Sequence, residues 1–503
     1  MRALAAPGLA VLAGVAQALS LAWPGSGAPL WWLQILSLAV FAWLLAQARS
    51  RRGAGLLGWA FATAWLTGTF WWLFISMHTY GGLAAPLAVL AVLGLAAFLG
   101  AYYAIVSWCF WPLAQSGQAL AAMVFAALWL LAELARGQWW TGFPWGAGGY
   151  AHADGPLAAL APWVGVYGMG FVAALLAMLL ARRAWRGVAV VAVVLAGAAL
   201  VRPVSTSSGT LSVALLQGNI PQDEKFQPGT GVPTALAWYA NELRSAQAQL
   251  VVAPETAIPL LPQQLDPAYL DGLRARYTQP SGKQAALVGI PLGDEKEGYT
   301  NSAIGWMPGD TGYRYDKHHL VPFGEFIPPF FRWFTEMMDI PLGDFNRGAV
   351  GQPSMAWAGQ RIAPNICYED LFGEELAARF ADEARAPTLF ANLSNIGWFG
   401  DSVAIAQHLQ ISRLRALEFE RPMVRATNTG ATVVIDHRGV VTYRLPPATR
   451  GVLLGEVQGR TGLTPYARWV SRAGLLPLWA LALLTVAAGF LLARRTPPRA
   501  LLR

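Results

Sequence analysis

Long apolar runs separated by short polar joints fill the first two hundred residues. A helix crossing the hydrocarbon core of a bilayer needs about 20 mostly apolar residues. Seven runs of that kind precede residue 203, at 3–22, 29–47, 55–76, 83–112, 118–135, 157–181 and 185–202, and an eighth covers 474–493. The fourth exceeds the bilayer thickness and predicts a tilted helix or one extending past the interface. Arg182-Arg183-Ala184-Trp185-Arg186 is the only break between the sixth and seventh, which suits a tight helical hairpin. The first run follows a basic start, as a signal peptide does. Further runs follow at once, so an uncleaved anchor is expected.

From 203 the runs shorten and charges appear. Apolar strands are predicted at 211–218, 250–253, 285–290, 388–392, 423–427 and 432–436, with helical patterns at 233–248, 265–278, 372–384 and 403–420. Strands alternating with helices predict a layered α/β domain. The expected organisation is a seven-helix membrane domain over 1–202, an α/β domain over 203–473, an eighth transmembrane helix over 474–493 and a basic tail over 494–503.

Charge refines this picture. The 503-residue chain is 55% hydrophobic and carries a net +8, which by itself would admit a nucleic-acid binder. The excess is unevenly placed: residues 1–202 sum to +7, 203–471 to −4 and 472–503 to +5. Nucleic acid is therefore not an expected partner. Arg2, then Arg49, Arg51 and Arg52, then Arg182, Arg183 and Arg186, then Arg494, Arg495, Arg499 and Arg503 all fall on one side if every run spans. The opposite loops, 23–28, 77–82 and 136–156, hold only Arg136. Basic short loops stay cytoplasmic. Both termini are thus expected in the cytoplasm and the 203–473 domain on the far side. A transporter would need ionisable residues inside the spans, and only Glu133 qualifies.

No phosphate-binding loop, dinucleotide fingerprint or metal-ligand cluster occurs in the sequence. His318 and His319 are adjacent and point apart on regular structure, so neither a metal nor a cofactor is expected. Of two cysteines, Cys109 falls in the fourth run, while Cys367 is alone in the 203–473 domain. Three residues there stand out. Glu255 follows Val251-Val252-Ala253-Pro254, Lys317 sits in Tyr315-Asp316-Lys317-His318-His319, and Cys367 in Asn365-Ile366-Cys367-Tyr368-Glu369. A carboxylate can take the thiol proton, and an ammonium can favour the thiolate or an oxyanion. Each also has a plainer reading as an ion pair, a surface lysine or a buried thiol. Residues 328–338, with Phe331, Trp333 and Phe334, read either as a core helix or as a segment dipping into lipid. The 137–150 loop, with Trp145, reads either as an interfacial aromatic belt or as a wall of a lipid site.

The order Pro254-Glu255-Thr256-Ala257-Ile258-Pro259, then Tyr315-x-Lys317-x-x-Leu320-Val321-Pro322-Phe323-Gly324-Glu325, then Ile366-Cys367-Tyr368-Glu369 resembles the Glu-Lys-Cys triad of the nitrilase superfamily. Gly142-Phe143-Pro144-Trp145, Gln217-Gly218-Asn219-Ile220-Pro221-Gln222, Asn392-Leu393-Ser394-Asn395, Trp398-Phe399-Gly400-Asp401 and Gly462-Leu463-Thr464-Pro465-Tyr466 extend the likeness over nearly the whole chain. Together they resemble the bacterial apolipoprotein N-acyltransferases. Lys225-Phe226 departs from the Lys-Trp expected there. The resemblance implies an αββα nitrilase-like domain on the periplasmic face of the inner membrane of a monomeric enzyme. It implies Glu255 as general base and acid, Lys317 as oxyanion stabiliser and Cys367 as nucleophile, with Glu325, Tyr368 and Glu369 in support. Trp145, Phe226, Phe331, Trp333, Phe334 and Trp398 are the implied lipid contacts. The donor would be a phospholipid, typically the sn-1 acyl of phosphatidylethanolamine, and the acceptor a diacylglyceryl apolipoprotein. A membrane-anchored amidase, in which water resolves the thioester, uses the same triad and stays open as an alternative.

Overall fold

The computed structural model describes residues 2–495 except 202, 204, 310–311 and 329–343. It forms two compact units. One comprises Met1–Trp71, Val89–Arg202 and Ala473–Arg503, and the other Trp72–Ala88 and Pro203–Arg472.

The first unit is built from apolar helices. Ala85–Leu113, Gln118–Thr141, Pro156–Ala181 and Leu476–Ala493 are long and apolar enough to cross a membrane, and Ala5–Leu21, Trp31–Ala46 and Trp185–Leu200 are shorter apolar helices. Their outward faces bear Leu12, Val193 and Leu484, each at least 65% exposed. Water penalises so much bare aliphatic surface and lipid does not. This is a membrane-protein unit. Its interior is aromatic: Phe41 stacks on Phe61 at 4.2 Å and Trp65 on Trp129 at 5.6 Å.

Two expectations change here. Arg136 is not a loop residue. It lies in helix Gln118–Gln138, is fully buried and pairs with Glu133 at 3.7 Å. Its guanidinium also donates to the carbonyls of Phe143 and Trp145, at 2.6 and 2.8 Å, which fixes the aromatic loop. The third apolar run forms a helix over Arg51–Phe70 rather than running to 76. Trp72 instead joins the second unit, where its indole donates to Gln407 at 3.0 Å and its ring packs 4.2 Å from Phe399.

The second unit is a sandwich of two six-stranded sheets. The strands in chain order are β1 (Thr206–Gln217), β2 (Leu250–Val252), β3 (Ala285–Asp294), β4 (Gly298–Trp306), β5 (Tyr313–Asp316), β6 (Met355–Trp357), β7 (Gln360–Ile366), β8 (Leu389–Ser394), β9 (Met423–Thr427), β10 (Val433–Ile435), β11 (Val441–Arg444) and β12 (Gly451–Thr461). One sheet has the order β12-β1-β2-β3-β4-β5 and the other β11-β10-β9-β8-β7-β6. Each has three parallel central strands, β1-β2-β3 and β7-β8-β9, flanked by antiparallel ones.

Strand side chains alternate faces, and the sequence obeys this. Val213, Leu215, Val252 and Leu287 enter the core between the sheets, with Ile362, Leu389, Leu393 and Val424 from the other side. The intervening Ala214, Leu216, Val251 and Val288 pack outward under Tyr239, Leu243, Leu273 and Tyr277 of helices Gly231–Ser245 and Pro267–Thr278. On the second sheet Phe390 packs beneath Phe419 of helix Val403–Phe419, with ring centroids 5.6 Å apart. The layers therefore run helix, sheet, sheet, helix. The expected helix at 372–384 is shorter: an α-helix over Gly373–Ala377 tightens to a 3₁₀ turn over Ala378–Phe380, where Phe380 stacks on Phe419 at 4.7 Å.

Candidate active site

Parallel strands deliver polar residues at their carboxyl ends. Glu255 follows β2, Cys367 follows β7, Asn395 follows β8 and Lys317 follows β5. These four come together. Lys317 Nζ donates to Glu255 Oε1 at 3.1 Å and to Glu325 Oε1 at 2.9 Å. The Asn395 amide donates to Glu255 Oε2 at 2.9 Å, and the Ser394 hydroxyl to Cys367 Sγ at 3.3 Å. Glu255, Lys317 and Glu325 are buried, while Cys367 keeps partial exposure.

Local backbone shape serves this arrangement. Cys367 has φ +53° and Thr256 φ +46°. Left-handed conformations are uncommon away from glycine and persist only where surroundings enforce them. Gly289 of β3 allows the Glu255 turn to approach: a Cβ there would meet the Pro254 carbonyl oxygen at 2.3 Å and Glu255 Cα at 2.8 Å.

Burial alone would raise the Glu255 carboxyl, but Lys317, Asn301 and Lys225 outweigh it and hold Glu255 below its ordinary range. Burial would likewise lower Lys317, and Glu255 with Glu325 reverse that, keeping it a firm cation. The Cys367 thiol is pushed up to about 12, by burial first and the Glu255 charge second, with Lys317 opposing. The resting site thus holds a neutral thiol beside a carboxylate–ammonium pair. Sulfur becomes nucleophilic only when a base removes its proton during attack.

Glu325 and Glu369 make different contacts. Glu325 touches Lys317 directly and also accepts from the Val321 amide at 2.7 Å. Glu369 makes no hydrogen bond to Lys317 Nζ among those described. It accepts from the Ile366 and His318 amides at 2.6 and 2.7 Å and from the Tyr315 hydroxyl at 2.7 Å. It therefore ties the strand before Cys367 to the turn carrying Lys317. The Tyr368 ring packs edge-on to Phe372 at 5.3 Å.

Two polar residues escaped the sequence reading. Asn301 Nδ2 donates to Glu255 at 2.7 Å and to Glu325 at 2.6 Å, bridging both carboxylates. Its strand, Gly298–Trp306, is not among those the apolar runs predict, so the sequence carries no signal for it. Lys225 Nζ donates to the Glu255 carbonyl at 3.1 Å and to Thr256 Oγ1 at 2.6 Å. Burial pushes it down to about 8, against the pull of Glu255 and Cys367. Its aromatic neighbour Phe226, which the family resemblance singles out, is half-buried with its ring centroid 5.8 Å from Lys225 Nζ.

Among the remaining lipid-contact candidates, Trp398 stands edge-on to Tyr80 at 5.9 Å in the second unit. Trp145 is 3% exposed within the first unit. Phe331, Trp333 and Phe334 lie outside the described residues. Among the described residues no group of His, Cys, Asp and Glu is placed to hold a metal ion.

Comparison with known proteins shows the family. The profile of the apolipoprotein N-acyltransferase N-terminal domain matches residues 13–179, and that of the carbon-nitrogen hydrolases matches 212–466. The apolipoprotein N-acyltransferase of Verminephrobacter eiseniae is 63% identical over 93% of this chain and 92% of its own length. The chain belongs to the apolipoprotein N-acyltransferase family. The namesake enzyme of Ralstonia nicotianae is 51% identical over 92% of this chain and 90% of its own. Among solved structures, a carbon-nitrogen hydrolase superfamily protein from Xanthomonas campestris is 19% identical, covering 54% of this chain and 97% of that one at a TM-score of 0.38. In this acyltransferase family setting, the second unit is the nitrilase-like sandwich and the first the apolar helical domain.

Proposed function

We propose that the chain moves an acyl group from a membrane phospholipid to the α-amine of an N-terminal S-diacylglyceryl-cysteine, through a thioester on Cys367. The observation that carries the reading is the cluster of Glu255, Lys317 and Cys367 in a chain 63% identical to an apolipoprotein N-acyltransferase.

In the first half-reaction Glu255 takes the thiol proton as sulfur attacks the ester carbonyl, by our reading the sn-1 ester of phosphatidylethanolamine. Negative charge develops on the carbonyl oxygen, where the Lys317 ammonium and the Tyr368 amide stabilise it. The tetrahedral intermediate collapses, and the lysophospholipid alkoxide leaves with the proton from Glu255. In the second half-reaction the acceptor amine attacks the thioester carbon and gives a proton to Glu255. The amide forms, and Cys367 leaves as thiolate and recovers the proton. Glu325 and Asn301 hold Lys317 and Glu255 at fixed separation throughout.

Eight helices, one from each apolar run, span the inner membrane in this reading, with both termini cytoplasmic and residues 203–473 periplasmic. The arginine distribution supports this orientation. Phe226 and Trp398 line the acyl-chain path.

Incubation of the full-length protein with labelled phospholipid, followed by intact-mass measurement, tests the chemistry. A single acyl adduct on Cys367 is expected, absent in Cys367→Ala. An adduct that persists in Cys367→Ala refutes the assignment. An impermeant thiol reagent should label Cys367 in intact spheroplasts; labelling only after permeabilisation would invert the topology.

A further inference from the structure

Beneath the nucleophile lies a second buried polar cluster that the reaction above does not use. His408, on helix Val403–Phe419, is 1% exposed. Its Nε2 lies 3.2 Å from the Cys367 carbonyl oxygen and 2.9 Å from Asp370 Oδ1. Its Nδ1 faces Arg425 Nη2 at 3.2 Å. Arg425 Nη1 reaches Asp370 Oδ2 at 3.2 Å, and the Ser412 hydroxyl bonds both Asp370 and Arg425.

Chemistry fixes the tautomer. A guanidinium only donates, so Nδ1 must accept. The ring proton therefore sits on Nε2 and points at the Cys367 carbonyl and Asp370. Burial holds the imidazole below its ordinary range, consistent with a neutral ring. Asn392 Nδ2 also donates to the same carbonyl, at 3.1 Å.

The carbonyl belongs to a residue in the left-handed region, φ +53°. Such a backbone relaxes unless its surroundings over-determine it. We propose that His408, oriented by Arg425 and Asp370, is a positioning residue for the nucleophile: its Nε2–H holds the Cys367 carbonyl and so keeps the left-handed turn that aims Sγ at the acyl carbon. The proposal rests on the reading that Cys367 carries the acyl group.

Ser412 supplies the internal control. It shares the network's burial and bonds Asp370 and Arg425, yet makes no bond to Cys367 among those described. The test uses the full-length protein and labelled phospholipid, measuring the single-turnover rate of acyl-enzyme formation, the donor KM and the thermal midpoint. His408→Ala is expected to slow acylation by about 10²-fold, the size of a misaimed nucleophile, with donor KM unchanged. His408→Gln restores an N–H donor and should recover most of the rate. Ser412→Ala should lower the thermal midpoint while leaving acylation within about threefold of wild type. If His408→Ala gives no folded protein, His408→Phe, which fills the ring's volume without a donor, takes its place.

Equal slowing in His408→Ala and Ser412→Ala, or no slowing in His408→Ala, overturns the proposal while the Cys367 thioester stands. Failure of His408→Gln to recover rate also overturns it. Absence of any adduct in wild type overturns both readings.

Discussion

The thiol proton gives the sharpest prediction. Cys367 is pushed up to about 12 from an ordinary 9.0. At pH 8 such a thiol is ionised in about one molecule in 10⁴, against about one in ten for an unperturbed one, a thousandfold gap corresponding to about 4 kcal/mol. A small neutral electrophile such as iodoacetamide needs the thiolate. In a Cys109→Ala background, Cys367 should therefore react about 10³-fold more slowly than a free thiol at pH 8. Its rate should climb tenfold per pH unit without a plateau below about pH 11. Glu255→Gln separates two roles. The Glu255 charge is second only to burial in raising the thiol, and Lys317 opposes it. Removing that charge should make Cys367 more acidic and speed alkylation at least about tenfold. The same substitution removes the base, so acyl-enzyme formation from phospholipid should fall by about 10²-fold or more. Lys317→Met should slow both reactions. Wild-type alkylation that plateaus near pH 8 to 9, or a Glu255→Gln enzyme slowed in alkylation as well as in acylation, would refute this electrostatic account.

Asn301→Ala removes the donor shared by Glu255 and Glu325 and leaves two buried carboxylates short of a partner. A cost of about 3 kcal/mol, or roughly 10²-fold in single-turnover acylation, is expected. Lys225 titrates near 8 in the folded protein against an ordinary 10.5, so it penalises folding below pH 8, and the penalty vanishes as pH rises to 10.5. Lys225→Met should accordingly gain thermal stability relative to wild type at pH 7, and that gain should shrink by pH 10; a difference that is constant or grows with pH contradicts the assignment. Gly289→Ala drives a methyl group into the Pro254 carbonyl and should abolish acylation while the helical unit still assembles, which far- and near-UV circular dichroism can follow.

The apolar runs were legible because lipid and a buried sheet both demand uninterrupted hydrophobic stretches. Strands β2, β3, β8 and β9 announced themselves in that way. β4 did not, since Tyr299-Thr300-Asn301-Ser302 looks like a turn, yet Asn301 bonds the two carboxylates while Thr300 and Ser302 bond each other on the opposite face. β7 was hidden by Pro364 and Asn365, although Asn365 is bonded by Asn392 across the sheet at 2.6 Å. Arg136 read as a loop charge because its partners, the carbonyls of Phe143 and Trp145, carry no mark in a sequence. Lys225 was masked for a similar reason: it binds backbone and a hydroxyl, so no acidic residue at a helical or strand spacing betrays it. Glu255, Lys317 and Cys367 were legible as motifs, but only the structure places Lys317 and Asn301 against Glu255 and so explains why that carboxyl is held below its ordinary range while burial raises the thiol beside it.

Transfer from the isolated acyl-enzyme tests the central claim most directly. The protein is loaded with labelled acyl chain, freed of donor, and mixed with a diacylglyceryl-cysteine peptide bearing a free α-amine. The account predicts stoichiometric loss of the acyl mass from Cys367 and its appearance as an amide on the peptide amine, faster than loss to water and absent when the amine is acetylated. Release of free fatty acid at the same rate with and without the peptide would contradict it.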